Sequence, residues 1–347
     1  MSMLYLQMEY NQFLHLKLFK EQVSNLNLKI FDAIYDQRKD KYVSNETTPD
    51  AGVIRMILKE ARIDLIERKR AAEISELTDK RLLKEYNHAE YKMPWPPRVF
   101  YNRLPKCGST TLLRLMTVLS RYNNFTLEKS VQWTDSLDEG KQMWLVDKFS
   151  KFTIPFLFER HTYFVNFTRF NQPMPVYINL VRDPLERLAS LYYFKRNTGL
   201  LNVYYTDEQR NRTFEECIVD NDPECMGHNE THTLVNYFCG HDSFCSLKSR
   251  EALHQAMRNI VNHYAVIGLM EDYRRSLRLF EQILPFYFTG VTALYDALSE
   301  YHEFENSHEL PGENTRSTIL DKLSLEYELF RFIKQRFYYA QERLGLS

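Results

Sequence analysis

Residues 103–111 read Arg103-Leu104-Pro105-Lys106-Cys107-Gly108-Ser109-Thr110-Thr111, and the fold depends on this stretch. An apolar segment, 99–101, precedes it, and a pattern with apolar residues every three or four positions follows over 112–121. A strand, a loop of small residues and a helix form a phosphate-binding layout, because their N–H groups converge where the helix dipole favours an anion. The stretch adds one lysine charge, hydroxyl donors and a glycine that permits close backbone approach. It therefore predicts an anion site at the start of a helix.

This stretch differs from the phosphate loop of nucleoside triphosphatases, in which a lysine follows the second glycine of G-x-x-x-x-G-K-[ST]. Here Lys106 lies two residues before Gly108, and no residue can be assigned to magnesium. An ATP-dependent kinase is therefore disfavoured. A simpler interpretation of the stretch alone stays open, namely an ordinary helix N-terminus with Ser109 as its cap.

Composition limits the class of protein. The 347 residues, 44% hydrophobic and 14% aromatic, can fill the core of one large domain with an appendage, or of two domains. The net charge of −1 disfavours a nucleic-acid binder, which usually has a basic surplus. A polyanionic substrate would have to meet a local basic groove.

Several features indicate a protein of the secretory lumen. Four of the five cysteines fall between Cys217 and Cys245, a clustering typical of an oxidising compartment. The chain has no apolar run of about 18 residues and no signal-peptide pattern at its start. We therefore expect a lumenal protein whose membrane anchor is missing from this chain. Five glycosylation sequons agree with this expectation; they begin at Asn45, Asn124, Asn166, Asn211 and Asn229.

The clustered cysteines have two interpretations. The mixture of cysteine and histidine over 225–245 resembles a set of zinc ligands, although its spacing is not that of a standard finger. Disulfides are favoured, and the economical pairing is Cys217 with Cys225 and Cys239 with Cys245. Cys107 is left over in the anion-binding stretch.

The chain divides near the prolines of 94–97, which cannot continue a helix. Residues 1–92 form a helical appendage with an apolar seam of under three heptads. This appendage is either an amphipathic helix lying on the domain or a stem that joins several chains, and the pattern does not decide between them. Residues 93–347 form the main domain, whose globular part starts at Arg98.

Within this domain, strands and helices alternate. Buried strands are predicted at 154–158, 176–181 and 265–269, and helices at 185–195 and 271–284. One long amphipathic helix is predicted over 317–344, whereas the polar region 123–150 reads as helix and loop. The alternation predicts an α/β fold with a parallel sheet, in which ligands bind beyond the carboxyl ends of the strands.

Three further residues become candidates from their positions. His161 closely follows a strand and could abstract a hydroxyl proton, with Glu159 or Glu186 to orient it, although a lone histidine is more often structural. Arg182 directly follows another strand and could grip a phosphate; alternatively, it forms a salt bridge with a nearby carboxylate. Ser190 lies two helical turns further on and could add a hydroxyl to the same anion.

Two segments together resemble the uronyl 2-O-sulfotransferases, the group that includes heparan sulfate 2-O-sulfotransferase, the dermatan/chondroitin enzyme and the Pipe-type proteins. They are Tyr101–Thr110 and Tyr177–Leu188, and the strings 237–241 and 286–290 also fit. The similarity covers roughly 98–345. It implies the P-loop-like sulfotransferase fold, with a central parallel sheet flanked by helices and an N-terminal helical stem.

The resemblance also implies a function and a site. The family uses 3′-phosphoadenosine 5′-phosphosulfate (PAPS) to sulfate the 2-hydroxyl of a hexuronic acid, and no metal is required. Its members are type II membrane proteins of the Golgi, and the resemblance implies a homotrimer, two short disulfides and a glycan acceptor. His161 matches the catalytic base, Arg103 a substrate contact, and Arg182 with Ser190 the ligands of the 3′-phosphate. The residues that match the cradle of the 5′-phosphosulfate are Lys106, which also serves catalysis, Cys107, Gly108, Ser109 and Thr110.

Two departures from the family keep an alternative open. Residues 198–205 lack the arginines found at this place in the heparan enzyme, and the segment 301–315 holds four glutamates and no lysine or arginine. A sulfated chain would be repelled there. The alternative is a catalytically weak or inactive relative that binds glycans or assembles partners.

Overall fold

Within the described residues, five short strands form one sheet. The structure, a computed structural model, describes residues 98–130, 132, 135–198, 205–225, 233–299 and 310–346. The predicted helical appendage, 1–92, therefore lies outside the described residues. The strands are β1 Val99–Asn102, β2 Thr126–Lys129, β3 Phe156–Arg160, β4 Val176–Val181 and β5 Tyr264–Leu269.

The sheet is parallel throughout and has the order β2-β3-β1-β4-β5. Its central strands β3, β1 and β4 are buried along their whole length, as is expected where helices cover both faces of a parallel sheet. The prediction of an α/β fold is confirmed, and β4 has the predicted bounds. The sheet therefore places the residues that follow β3, β1 and β4 next to one another at one edge.

Two strand predictions need correction. β3 begins at Phe156 rather than Ile154, because Pro155 has no N–H and its carbonyl instead accepts the N–H of Thr126 at the start of β2. β2 itself was missed, because it is an edge strand with polar, partly exposed residues and no apolar run.

Helices connect the strands and cover the sheet. Near the anion-binding stretch and β4 they are α1 Ser109–Tyr122, α2 Glu139–Ser150 and α3 Pro184–Thr198. The short helices of the cysteine region are α4 Asp207–Asn211, α5 Phe214–Val219 and α6 Leu234–Cys239. The remaining helices are α7 Arg250–His263, α8 Tyr273–Ile283, α9 Pro285–Phe288, α10 Val291–Ser299, α11 Glu313–Lys322 and α12 Ser324–Arg343, and single 3₁₀ turns lie at Phe167–Phe170 and Ser243–Ser246.

The prediction of one long C-terminal helix is wrong, because the chain turns at Leu323 between α11 and α12. Ile319 of α11 and Leu323 pack into the apolar cluster formed by α3 and α5. α12 instead runs along α6, α7 and β5. The two helices thus contact largely different parts of the domain, although Tyr327 near the start of α12 also packs against the α3 and α5 cluster.

The cysteine region folds as the disulfide interpretation predicts, with Cys217 bonded to Cys225 and Cys239 bonded to Cys245. The zinc interpretation is therefore wrong for these cysteines, which have no thiolate to offer a metal. Cys107 is the free cysteine and is fully buried. Across the described ranges, none of the helices is both long and apolar enough to cross a bilayer.

Candidate active site

The loop between β1 and α1 is bent by two residues in the left-handed region, Lys106 with φ of 66° and Gly108 with φ of 71°. Such a backbone is uncommon for a lysine, and alternation of this kind turns N–H groups toward a shared concave side. A Cβ at Gly108 would also lie 2.9 Å from the ring of Tyr273, whose hydroxyl donates to the Gly108 carbonyl at 3.0 Å. This position therefore requires glycine for its backbone and for its contact.

The start of α1 offers its N–H groups to a ligand. Gly108 is the N-cap, so no side chain caps this terminus, and the first turn has no acidic residue. The hydroxyl of Ser109 instead accepts a hydrogen bond from Nε of Arg103 at 2.9 Å. Thr110 is exposed at the second helical position. The interpretation of Ser109 as an ordinary cap is wrong, and the uncapped terminus suits an anion.

Cys107 contributes its backbone rather than a reactive thiol. Burial raises the pKa of its thiol to about 12, and its Sγ lies 3.6 Å from the carbonyl oxygen of Pro105. The thiol is therefore protonated at neutral pH and is not a nucleophile.

His161 is held against the start of the same loop. Its Nδ1 lies 2.7 Å from the carbonyl oxygen of Arg103, and the residue is buried. This contact follows from the sheet, because Asn102 pairs with Arg160 and the N–H of Arg103 donates to the Arg160 carbonyl at 2.8 Å. A carbonyl only accepts, so Nδ1 must hold the hydrogen. When the imidazole is neutral, its lone pair is therefore on Nε2.

Arg103 connects the loop with the neighbouring strand through its side chain. Its Nε donates to Ser109, and its Nη1 lies 3.4 Å from Oε2 of Glu159. Burial raises the pKa of Glu159, and the charge of Arg103 opposes that rise. The hypothesis that a carboxylate orients His161 needs correction, because the Arg103 carbonyl holds Nδ1 while Glu159 pairs with the guanidinium.

Arg182 follows β4, the strand on the other side of β1. Its Nε and Nη2 lie 3.2 and 3.1 Å from Oε2 of Glu186, which is the salt bridge considered as its alternative role. Asp183 caps α3 by accepting the N–H groups of Leu185 and Glu186. The side chains of Glu271 and Tyr327 hold Asp183 in turn. The Arg-Asp-Pro segment is thus fixed from both sides.

Lys106 and Arg182 are close enough for their charges to interact. The pKa of Lys106 is lowered, first by burial and then by the positive charge of Arg182. Two neighbouring cations favour a bound anion between or beside them. Ser190 lies buried on α3, two helical turns after Arg182.

The sheet therefore brings most of the predicted residues together, since Arg103, His161 and Arg182 each follow one of three adjacent central strands. Residue patterns missed Tyr273, which follows β5 and supports Gly108, and Phe194, whose ring lies 3.9 Å below the Lys106 ammonium. Phe194 could have been found as the residue one helical turn after Ser190. Tyr273 gave no signal in the sequence.

A glycine-bent loop, an uncapped helix and two cations lie at the carboxyl edge of a parallel sheet, which is an α/β arrangement that suits an anionic ligand. Comparison with known proteins narrows this class. Residues 90–340 match the model of the Sulfotransferase family, and the chain belongs to that family. The predicted family and fold are thereby confirmed.

Named relatives agree with this assignment. The chain is 32% identical over 269 residues to human "Uronyl 2-sulfotransferase", covering 74% of this chain and 66% of the relative. It is 31% identical over 274 residues to Drosophila melanogaster "Uronyl 2-sulfotransferase homolog pip", covering 69% and 52%. It is 32% identical over 267 residues to Drosophila melanogaster "Heparin sulfate O-sulfotransferase", covering 71% and 73%. The chain thus spans just under two thirds of the first relative and about half of the second.

Proposed function

We propose that this protein transfers sulfate from PAPS to the 2-hydroxyl of a hexuronic acid in a glycosaminoglycan or a related glycan. The observation that supports this most is the 2.7 Å contact between Nδ1 of His161 and the Arg103 carbonyl. This contact holds the imidazole of His161 beside a loop whose backbone, lysine and helix N-terminus suit a phosphosulfate. The names of the relatives supply the acceptor class.

In this proposal Lys106, Cys107, Gly108, Ser109 and Thr110 hold the 5′-phosphosulfate. Arg182 and Ser190 hold the 3′-phosphate. The cradle fits such a donor because burial and Arg182 lower the pKa of Lys106, and a polyanion relieves the repulsion between these two cations. PAPS, when bound, supplies an activated sulfuryl group with a nucleotide as its leaving group.

His161 acts as the general base of the proposed reaction. Its Nε2 takes the proton of the acceptor hydroxyl, while Nδ1–H keeps its bond to the Arg103 carbonyl and holds the ring in place. Lys106 and the N–H groups of the loop stabilise the charge that grows on the departing oxygen. The guanidinium of Arg103 contacts the acceptor. In this scheme, side chains and backbone amides stabilise the negative charge of the donor, and no metal ion takes part.

We place the protein in the Golgi lumen as a type II membrane protein, and we propose a homotrimer. The two disulfides support an oxidising compartment. Light scattering of the purified protein tests the assembly: a mass of three chains is expected, and a monomer would contradict it.

The acceptor is tested by incubating the protein with labelled PAPS and a panel of desulfated heparan, dermatan and chondroitin chains. Digestion to disaccharides should locate the label at the 2-position of a uronic acid in at least one chain. Label at another position would contradict the proposed regiochemistry. If no glycan chain accepts label although the protein binds 3′-phosphoadenosine 5′-phosphate (PAP), the result would favour the alternative, a catalytically weak or inactive relative that binds glycans.

A further inference from the structure

Lys106 is the cation at the centre of the proposed donor site, and an aromatic ring lies directly against it. Its Nζ lies 3.9 Å from the centroid of the Phe194 ring. Both residues are partly buried, so this contact is partly shielded from water. A lysine held over an aromatic face is attracted to the ring quadrupole, and the attraction grows when the pair is desolvated.

The Phe194 ring that contacts Lys106 carries no charge. Within the described residues no carboxylate pairs with Lys106, whereas Arg182 pairs with Glu186 at 3.1 Å. A carboxylate at Lys106 would cancel its charge and compete with an incoming anion. A ring restrains the ammonium and leaves its charge available. A long lysine side chain also loses less entropy on ligand binding if it is already restrained.

Helix α3 carries the residues that contact both cations, Lys106 and Arg182. Glu186, Ser190 and Phe194 are spaced by four residues, so they lie on one face of α3 in successive turns. Arg182 is bound to the first of these residues and Lys106 to the third. Ser190, proposed to bind the 3′-phosphate, lies between them. The two cations are thus tied to opposite ends of one short helical face.

We infer that Phe194 is a positioning residue of the donor site, whose ring holds the Lys106 ammonium at the end of this face where the 5′-phosphosulfate binds. This inference rests on the proposed function. Phe194 acts through Lys106 and is not assigned a contact with the ligand. The ring restrains the position of the ammonium without pairing it with a negative charge.

The test measures PAP affinity by calorimetry for wild type, Phe194→Leu and Phe194→Tyr. Leucine keeps an apolar side chain on the helix but removes the ring, so affinity should fall about threefold to thirtyfold. Tyrosine keeps a ring and should stay within about twofold of wild type. If Phe194→Tyr loses as much affinity as Phe194→Leu, or if neither variant changes affinity, the inference is overturned.

A double-mutant cycle separates positioning from general damage to α3. In a Lys106→Met background the ring has no cation to hold, so Phe194→Leu should cause no further loss of PAP affinity. An equal loss in both backgrounds would show a structural role and overturn the inference. Trp144→Leu is the matched control, since it removes a ring 5.3 Å from Lys148 on α2 and should leave affinity unchanged.

PAP binding by wild type separates failure of the proposed donor site from failure of the role inferred for Phe194. If wild type binds no PAP, the proposed donor site fails, and the inference about Phe194 fails with it. If wild type binds PAP but the variants behave alike, the donor site stands and Phe194 has no role in positioning. If Phe194→Leu lowers PAP affinity in wild type but not in the Lys106→Met background, both the donor site and the role of Phe194 are supported.

Discussion

Arg103 is the residue through which the parts of the site are joined. Its carbonyl holds His161, its Nε holds Ser109 and its Nη1 lies beside Glu159. The contact with His161 is made by the backbone, so a substitution of the arginine side chain leaves the imidazole in place. The proposed base and the proposed acceptor contact can therefore be disturbed separately.

Gly108→Ala should damage the cradle. The left-handed φ of 71° costs an alanine at least about 1 kcal/mol, and its Cβ would press on Tyr273 at 2.9 Å. We expect PAP affinity to fall by about tenfold or more, measured by calorimetry. Gly140→Ala on α2 is the control, because its nearest neighbour there would lie at an ordinary 3.5 Å. An unchanged affinity for Gly108→Ala would contradict the assigned loop.

At the scale of elements, α12 supports α6 through one buried carboxylate. Glu326 of α12 accepts the N–H of Leu234 at 2.5 Å and that of Val235 at 3.4 Å, both in the first turn of α6. Thr233 is the N-cap of α6. Burial raises the pKa of Glu326, and the charge of Arg187 opposes the rise. The start of α6, next to the Cys239–Cys245 disulfide, is thus tied to the C-terminal helix.

This carboxylate makes stability depend on pH in one direction. A carboxyl group whose pKa is raised on folding stabilises the folded state when it is protonated, and this stability is lost as pH rises from about 4.5 through the folded pKa. Wild type should therefore lose stability relative to Glu326→Gln as pH increases above that value. Urea unfolding at several pH values measures the difference.

A matched substitution on the same helix controls for the loss of a carboxylate alone. Glu328 is more exposed and pairs with Arg250 at 3.0 Å, so Glu328→Gln should change stability by less than about 1 kcal/mol. If the difference between wild type and Glu326→Gln widened in favour of wild type as pH rose, the assigned burial effect would be wrong.

At the scale of the whole molecule, strand order creates the site. β1 lies at the centre, with β3 on one side and β4 on the other, and their carboxyl ends present Arg103, His161 and Arg182 together. The net charge is only −1, so the attraction for an anion comes from this local convergence and not from the molecule as a whole.

Binding of the nucleotide should stabilise the whole fold. At a PAP concentration about 100 times its Kd, linkage adds about 2.7 kcal/mol, which should raise the Tm by about 4 to 5 °C. AMP lacks the 3′-phosphate and should produce a smaller shift. Arg182→Ala should remove most of the difference between the two nucleotides. Equal shifts by PAP and AMP with wild type would contradict a 3′-phosphate site.

The sequence predicted those parts that depend on local patterns. β4 is an apolar run interrupted only by Asn179 and was placed correctly, and the disulfide pairs followed from short spacings. β2 was missed because an edge strand lacks such a run, and the turn at Leu323 was missed because it depends on distant packing. The Arg103 carbonyl as the partner of His161 could not be predicted, since it depends on the register of β1 against β3.

The most direct test of the account is sulfate transfer by His161→Asn. The asparagine amide can still donate to the Arg103 carbonyl in place of Nδ1–H, but it has no basic atom in place of Nε2. PAP affinity should stay within about twofold of wild type, while transfer from PAPS to the best acceptor falls by about 10² to 10⁴. Transfer by His161→Asn at the wild-type rate would contradict the claim that this imidazole is the base.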